Sequence, residues 1–159
     1  MQRELTQKLH PDYVKASRLS SILFHIVTLL LVSGWLVFAL WKDWTLVPVW
    51  IAYGILLVSF VLFTWIVPIY EFRSFSFEVF EEEIEIQSGI IFRSNILIPM
   101  VRVQHVEVGS GPIMRKYKLA SVNVVTAATK HEIKGVHQQA AEELKQHIGE
   151  LAKVDEQHD

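Results

Sequence analysis

The spacing of apolar positions changes character along the chain. From Ile22 to Trp41 the run ILFHIVTLLLVSGWLVFALW contains no Asp, Glu, Lys or Arg, and a second such run, LVPVWIAYGILLVSFVLFTWIV, fills Leu46 to Val67. At 1.5 Å per residue each predicts a helix of about 30 Å, the thickness of a bilayer's hydrocarbon core. Neither run keeps the polar stripe of a helix in a soluble bundle, and the first is too long and starts too late for a secretory signal. Pro48 falls in the first turn of the second run, where a missing N–H costs little, and Pro68 stands just past its end. Only Lys42 to Thr45 separate the runs. A link that short cannot recross a bilayer, so residues 21–70 are expected to form an antiparallel transmembrane hairpin with spans at about 22–41 and 46–67, preceded by a cytoplasmic arm over residues 1–20.

After Tyr70 the period drops to two. Phe75, Phe77 and Val79 alternate with Ser74, Ser76 and Glu78, and Ile84 and Ile86 alternate with Glu83 and Glu85. Ile96 and Ile98 follow a break at Arg93 to Asn95. Such alternation predicts half-buried strands, with turns at Glu81-Glu82-Glu83 and Ser88-Gly89. Val101, Val103, Val106 and Val108 continue the series as expected core, with a phase change at Gln104-His105 that reads as a bulge; Gly109 to Pro112 ends it. A basic segment from Ile113 to Leu119 leads into a strand around Val122, Val124 and Thr126, and Ile133 with Val136 forms one more. Ala140, Ala141, Leu144, Ile148 and Leu151 then recur at three- and four-residue steps. They predict an amphipathic helix over about 137–153 that lays one stripe on the sheet. The soluble domain spans 71–154, and 155–159 reads as a tail.

Charge adds an orientation. Arg3, Lys8, Lys15 and Arg18 precede the first run and Arg73 follows the second, against Lys42 alone in the link. The positive-inside rule therefore puts both termini in the cytoplasm, with Trp41, Trp44 and Trp50 at the outer interface and Trp65 and Tyr70 at the inner one. From Glu71 onward ten basic side chains face fourteen acidic ones, which argues against nucleic acid as a partner. The chain has no cysteine, which excludes disulfides, thiolate metal sites and cysteine nucleophiles.

Five to seven antiparallel strands followed by one amphipathic helix describe an α+β fold compatible with a pleckstrin-homology-like roll or barrel. The stretch FEVFEEEIEIQSGIIFRSNILIPMVRVQHVEVGSGPIMRKYKLASVNVVTAAT carries a strand before an acidic turn, then S-G and an Arg-bearing turn. I-P-x-x-R-V-Q-x-V, G-P-I-x-R and L-A-S-V-x-V-x-T-A follow. In this succession, over Phe75 to Leu151, it resembles the bacterial PH-like membrane family typified by YdbS, whose short members also carry two preceding spans. The resemblance implies a PH-like fold tethered to the inner face of the bacterial cell membrane, and it brings no catalytic residue, cofactor or substrate.

Chemistry is sparse. Eukaryotic PH-like folds grip inositol phosphates with Lys and Arg in the first hairpin, and here that hairpin holds Glu81, Glu82 and Glu83. The remaining basic candidates for lipid or partner contact are Arg93, Arg102, Arg115, Lys116 and Lys118, the last three suited to an anionic leaflet. His105, His131, His137 and His147 lack metal-site spacing, and no phosphate loop, nucleophile elbow or HExxH pattern occurs. Glu142, Glu143 and Glu150 read as the solvated face of the last helix. His25 sits one turn into the first run; it reads as a neutral imidazole snorkelling to the interface or bonded to its own helix, with a proton-relay or ligand role as the alternative. Ser33, Gly34, Ala52 and Gly54 are small enough for close helix approach.

These readings lead to a non-enzymatic membrane protein, with no cofactor and no metal. Its partners are the lipid bilayer and another membrane protein, a relative with several copies of the same domain being one such partner. The alternative is a module that binds anionic lipid at the inner leaflet through Arg115, Lys116 and Lys118.

Overall fold

A computed structural model describes residues 5–90 and 92–156. The chain divides into two compact units, one of residues 14–69 and one that joins the described residues up to Tyr13 to those from Tyr70 onward.

The first unit is the helical hairpin. Helix α1 covers Asp12–Trp41, ten residues longer at its start than the apolar run, and α2 covers Val47–Val61 with Pro48 in its first turn. Helix α1, and the continuous helical run Val47–Ser74 of which α2 is the first part, are each long and apolar enough to cross a membrane. Their large side chains point outward, Leu30, Leu31, Val37 and Leu57 among them, a surface stable in lipid and costly in water. Where the sequence places Pro68 beyond the helix end, the backbone instead stays helical through a π turn at Leu62–Ile66 and a further helix, α3, at Val67–Ser74. Proline has no N–H to donate and its ring crowds the preceding turn; the wider π turn, in which the Val67 N–H bonds the Leu62 carbonyl, absorbs both effects. Gly34 and Gly54 have open space where a Cβ would stand, so neither is at a helix contact. The close approach is made by Ala39 and Val49, both fully buried, and by Ser33, whose hydroxyl lies 2.9 Å from the Tyr53 hydroxyl.

Among its described residues the second unit holds seven strands. One antiparallel sheet has the order β1 (Gln7–Lys8), β2 (Ser76–Val79), β3 (Glu83–Ser88) and β4 (Ser94–Pro99). A 3-10 turn at Met100–Arg102 leads to the other sheet, β5 (Val103–Gly109), β6 (Leu119–Thr126) and β7 (Lys130–His137), in that order. A short helix α4 (Pro112–Lys116) joins β5 to β6, and α5 (Gln138–Glu156) follows β7. The bulge expected at Gln104-His105 is present as a register shift between Val103 and His105.

Phe77, Ile84, Ile86 and Ile98 face inward from the first sheet; Leu119, Val122, Val124 and Ile133 do so from the second. Helix α5 packs on β5, β6 and the 3-10 turn through Ala141, Leu144 and Ile148. Several expected core positions differ, and Val106 and Val108 are only half-buried in β5. Val101 is 60% exposed, because the 3-10 turn breaks the alternation that would have pointed it inward, and Ala140 stands on the outer side of α5. Strand β1, in an arm that periodicity leaves unstructured, adds itself to β2 through Gln7↔Phe77 and Lys8↔Ser76. Leu9 and Tyr13 are buried, and the His10 N–H bonds the Gly135 carbonyl at 2.8 Å.

Candidate functional site

The five basic residues are all exposed, and none has an ion-pair partner among the described residues. The fold brings only three of them together. Arg115 and Lys116 occupy the last turn of α4, and Lys118 follows in a left-handed backbone conformation (φ 55°) that turns the chain into β6. Arg93 lies in the β3–β4 turn and Arg102 at the opposite end of β4. The acidic turn at Glu81 and Glu82 stands at that same end, since the Met100 N–H bonds the Glu82 carbonyl at 2.8 Å.

Arg102 belongs to a more open feature. Among the described residues, strand β4 is the last strand of its sheet and pairs with β3 alone. Beside it runs a groove of about 510 Å³, lined by Leu97, Pro99, Val101 and Arg102 on one side and by Thr126 to Thr129 of the β6–β7 turn on the other. Leu97 is 52% exposed there. An unpaired strand edge beside exposed apolar side chains can accept the backbone of another extended chain.

A second cavity, of about 320 Å³, is lined by Glu71, Ser74 and Phe75 with Ser88, Gly89 and Ile90, and by Lys134 of β7. Glu71 is the hub of its polar wall. Its carboxylate accepts the Tyr13 hydroxyl at 3.0 Å and pairs with the Lys134 ammonium. Sequence reasoning missed this cluster, because its members are some sixty positions apart; the apolar Leu9 and Tyr13 within a charged arm were the one available hint.

Within the hairpin, His25 is 6% exposed, so it does not snorkel. Its Nδ1 lies 2.7 Å from the Ser21 carbonyl of its own helix and Nε2 lies 3.0 Å from Ser59 Oγ of α2. A carbonyl only accepts, so Nδ1 carries the proton; the single Ser59 hydroxyl proton is within reach of both Nε2 and the Leu56 carbonyl, the latter at 3.1 Å. The Ser21 hydroxyl meets Thr64 Oγ1 at 3.0 Å, inside the π turn. Arg18 lies over the Trp65 ring at 5.1 Å. These contacts satisfy polar groups between two helices.

The sequence profile described as bacterial PH domain matches residues 19–152. The chain belongs to this bacterial PH domain family. The match starts inside α1, so it includes the hairpin as well as the soluble unit. This bacterial PH domain protein is 37% identical over 158 residues to UPF0699 transmembrane protein YdbS of Bacillus subtilis (strain 168), covering 97% of each chain. No solved structure matches it significantly. With the two apolar helices, the match makes the chain a transmembrane protein with a PH-like domain, from a family that is not a known family of enzymes.

Proposed function

We propose that the chain is a non-enzymatic anchor which presents its PH-like domain, on the cytoplasmic side of a bacterial cell membrane, to another membrane protein. The hairpin crosses the bilayer twice with both termini inside, a reading supported by five basic residues flanking the hairpin's ends against one in its link. The observation that carries the binding role is the groove along β4: an unpaired strand edge with Leu97 and Val101 exposed beside it and Arg102 at its mouth. The partner adds an extended segment to that edge. Backbone hydrogen bonds hold the segment and the groove reads alternate side chains.

The test is affinity capture of the tagged protein from detergent-solubilised membranes, comparing the natural chain with Leu97→Lys and Arg102→Glu. The proposal expects a stoichiometric membrane protein with the natural chain and its loss with Leu97→Lys. Recovery without any partner, or equal recovery with Leu97→Lys, contradicts it.

One observation favours a second reading, in which Arg115, Lys116 and Lys118 contact anionic lipid: all three are exposed, without an ion-pair partner among the described residues, and carried by one helix and its exit. Reversing their charge in protein reconstituted into phosphatidylglycerol nanodiscs lowers lipid contact of α4 on that reading and leaves it unchanged otherwise.

A further inference from the structure

The polar bonds inside the hairpin leave an apolar groove on its surface. His25 turns its ring nitrogens to Ser21 and Ser59, and the Tyr53 hydroxyl meets Ser33. The groove, of about 560 Å³, is lined by Ile22, Ile26 and Leu29 of α1 and by Tyr53, Leu57 and Phe60 of α2. From Ile22 to Leu29 it runs about 10 Å along α1.

One end of the groove carries charge. Arg18 stands one turn before Ile22 on the same face of α1, and its guanidinium lies over the Trp65 ring at 5.1 Å. In an uninterrupted α-helix the residue one turn after Phe60 would be Thr64. The π turn at Leu62–Ile66 adds a residue there, so Thr64 turns inward to Ser21 and Trp65 comes into line with Phe60 and the groove. Stacking on Trp65 holds the guanidinium by one face and uses none of its N–H donors. Arg18 Nε is buried without a hydrogen-bond partner, and the side chain has no ion pair among the described residues. A buried donor without an acceptor is costly, and an anionic oxygen at the guanidinium offsets that cost.

We infer that this groove is a binding site for one anionic phospholipid of the bilayer, whose acyl chain lies along Ile26 and Leu57 and whose phosphate accepts from the Arg18 guanidinium. The order of features matches that ligand: an apolar channel inside the charge-free run, and a cation just before the run begins. A second copy of the hairpin fits less well. Two-fold pairing through this face, about an axis along the membrane normal, sets two Arg18 side chains against each other at one level. The site also gives the π turn a use, since it keeps the Trp65 platform in line with the groove.

Photoreactive lipids test the site in the full-length protein. Phosphatidylcholine nanodiscs receive a trace of phosphatidylglycerol with a diazirine midway along one acyl chain, and phosphatidylcholine bearing the same group is the reference probe. Mass spectrometry maps the labelled residues. At Ile26 and Leu57 the anionic probe is expected to label about fivefold more than the reference, the gain from one basic side chain near an anionic lipid. At Leu31 and Ile55, exposed but outside the groove, both probes are expected to label equally. Arg18→Gln is expected to remove the preference and Arg18→Lys to keep it, which separates lost charge from lost folding. Leu57→Trp, which fills the groove, is expected to lower labelling of Ile26 by the anionic probe to the level at Leu31. Equal labelling of the groove by both probes in the natural chain, or a preference that survives Arg18→Gln, overturns the inference. It is equally overturned if the groove escapes both probes, which would mark this face as covered by another helix.

Discussion

The Tyr13 hydroxyl donates to Glu71 Oε2 at 3.0 Å, joining the first turn of the first long helix to the helix that leaves the second apolar run. Because Glu71 also pairs with Lys134 of β7, one carboxylate ties the N-terminal arm, the exit helix and the second sheet together. Tyr13→Phe should cost about 1.5–3 kcal/mol, as expected for a hydrogen bond to a charged group. Glu71→Ala should cost more, since it leaves both partners without an acceptor. Gly135 sits at φ +66° with Tyr13 Cδ2 2.6 Å from the position of an added Cβ, so Gly135→Ala should also displace the Tyr13 ring. Unfolding of the detergent-solubilised variants by denaturant measures these effects. A Tyr13→Phe, Lys134→Met double mutant should show non-additive losses, because both residues act through Glu71.

The arm is also held at Glu78. The Thr6 hydroxyl and backbone N–H donate to one carboxylate oxygen at 2.5 and 2.8 Å. These bonds, the hydroxyl's first, hold the Glu78 carboxyl below its ordinary range. A depressed folded-state value means that the contribution is present in full above the unfolded value, about 4.3, and is lost as pH falls through the lower folded value. A carboxyl-carbon NMR titration should therefore show Glu78 titrating below an ordinary glutamate. Thr6→Ala should raise its midpoint, with the Gln7 amide signal shifting in step with it in the natural chain.

The His25 contacts should be structural. Hydrogen bonds between transmembrane helices average about 0.6 kcal/mol, so His25→Leu, which breaks one such bond, to Ser59, should cost about 0.6 kcal/mol. Unfolding in mixed micelles measures the loss, and the variant should still reach the membrane in normal amounts. A collapse of membrane insertion would show that the network does more than join two helices.

The two apolar runs were readable because lipid requires apolar side chains all round a helix, and the strands because a half-buried sheet imposes a period of two. The bulge near Gln104 showed as a phase change for the same reason. Features that depend on distant partners were not readable. Strand β1 is two residues long and pairs across a gap of about seventy positions, too short and too remote to leave a pattern. The burial of His25 depends on Ser59 lying opposite it on the neighbouring helix, and the helical continuity at Pro68 on a π turn that propensity does not signal. Val101 kept the apolar character of its series but lost its place in the core to the 3-10 turn. The five basic residues could be named from sequence, yet only register and topology separate the α4 trio from Arg93 and put Arg102 beside the β4 groove.

The central claim, that the open edge of β4 receives a segment of another membrane protein, is tested most directly by a photo-crosslinking residue. Placed at Leu97 in the full-length chain in living bacterial cells, it should capture one membrane protein, through a segment that mass spectrometry places in extended sequence. The same residue at Glu143, on the solvated face of α5, should capture nothing reproducibly. Equal capture at both positions, or none at Leu97, would contradict the account.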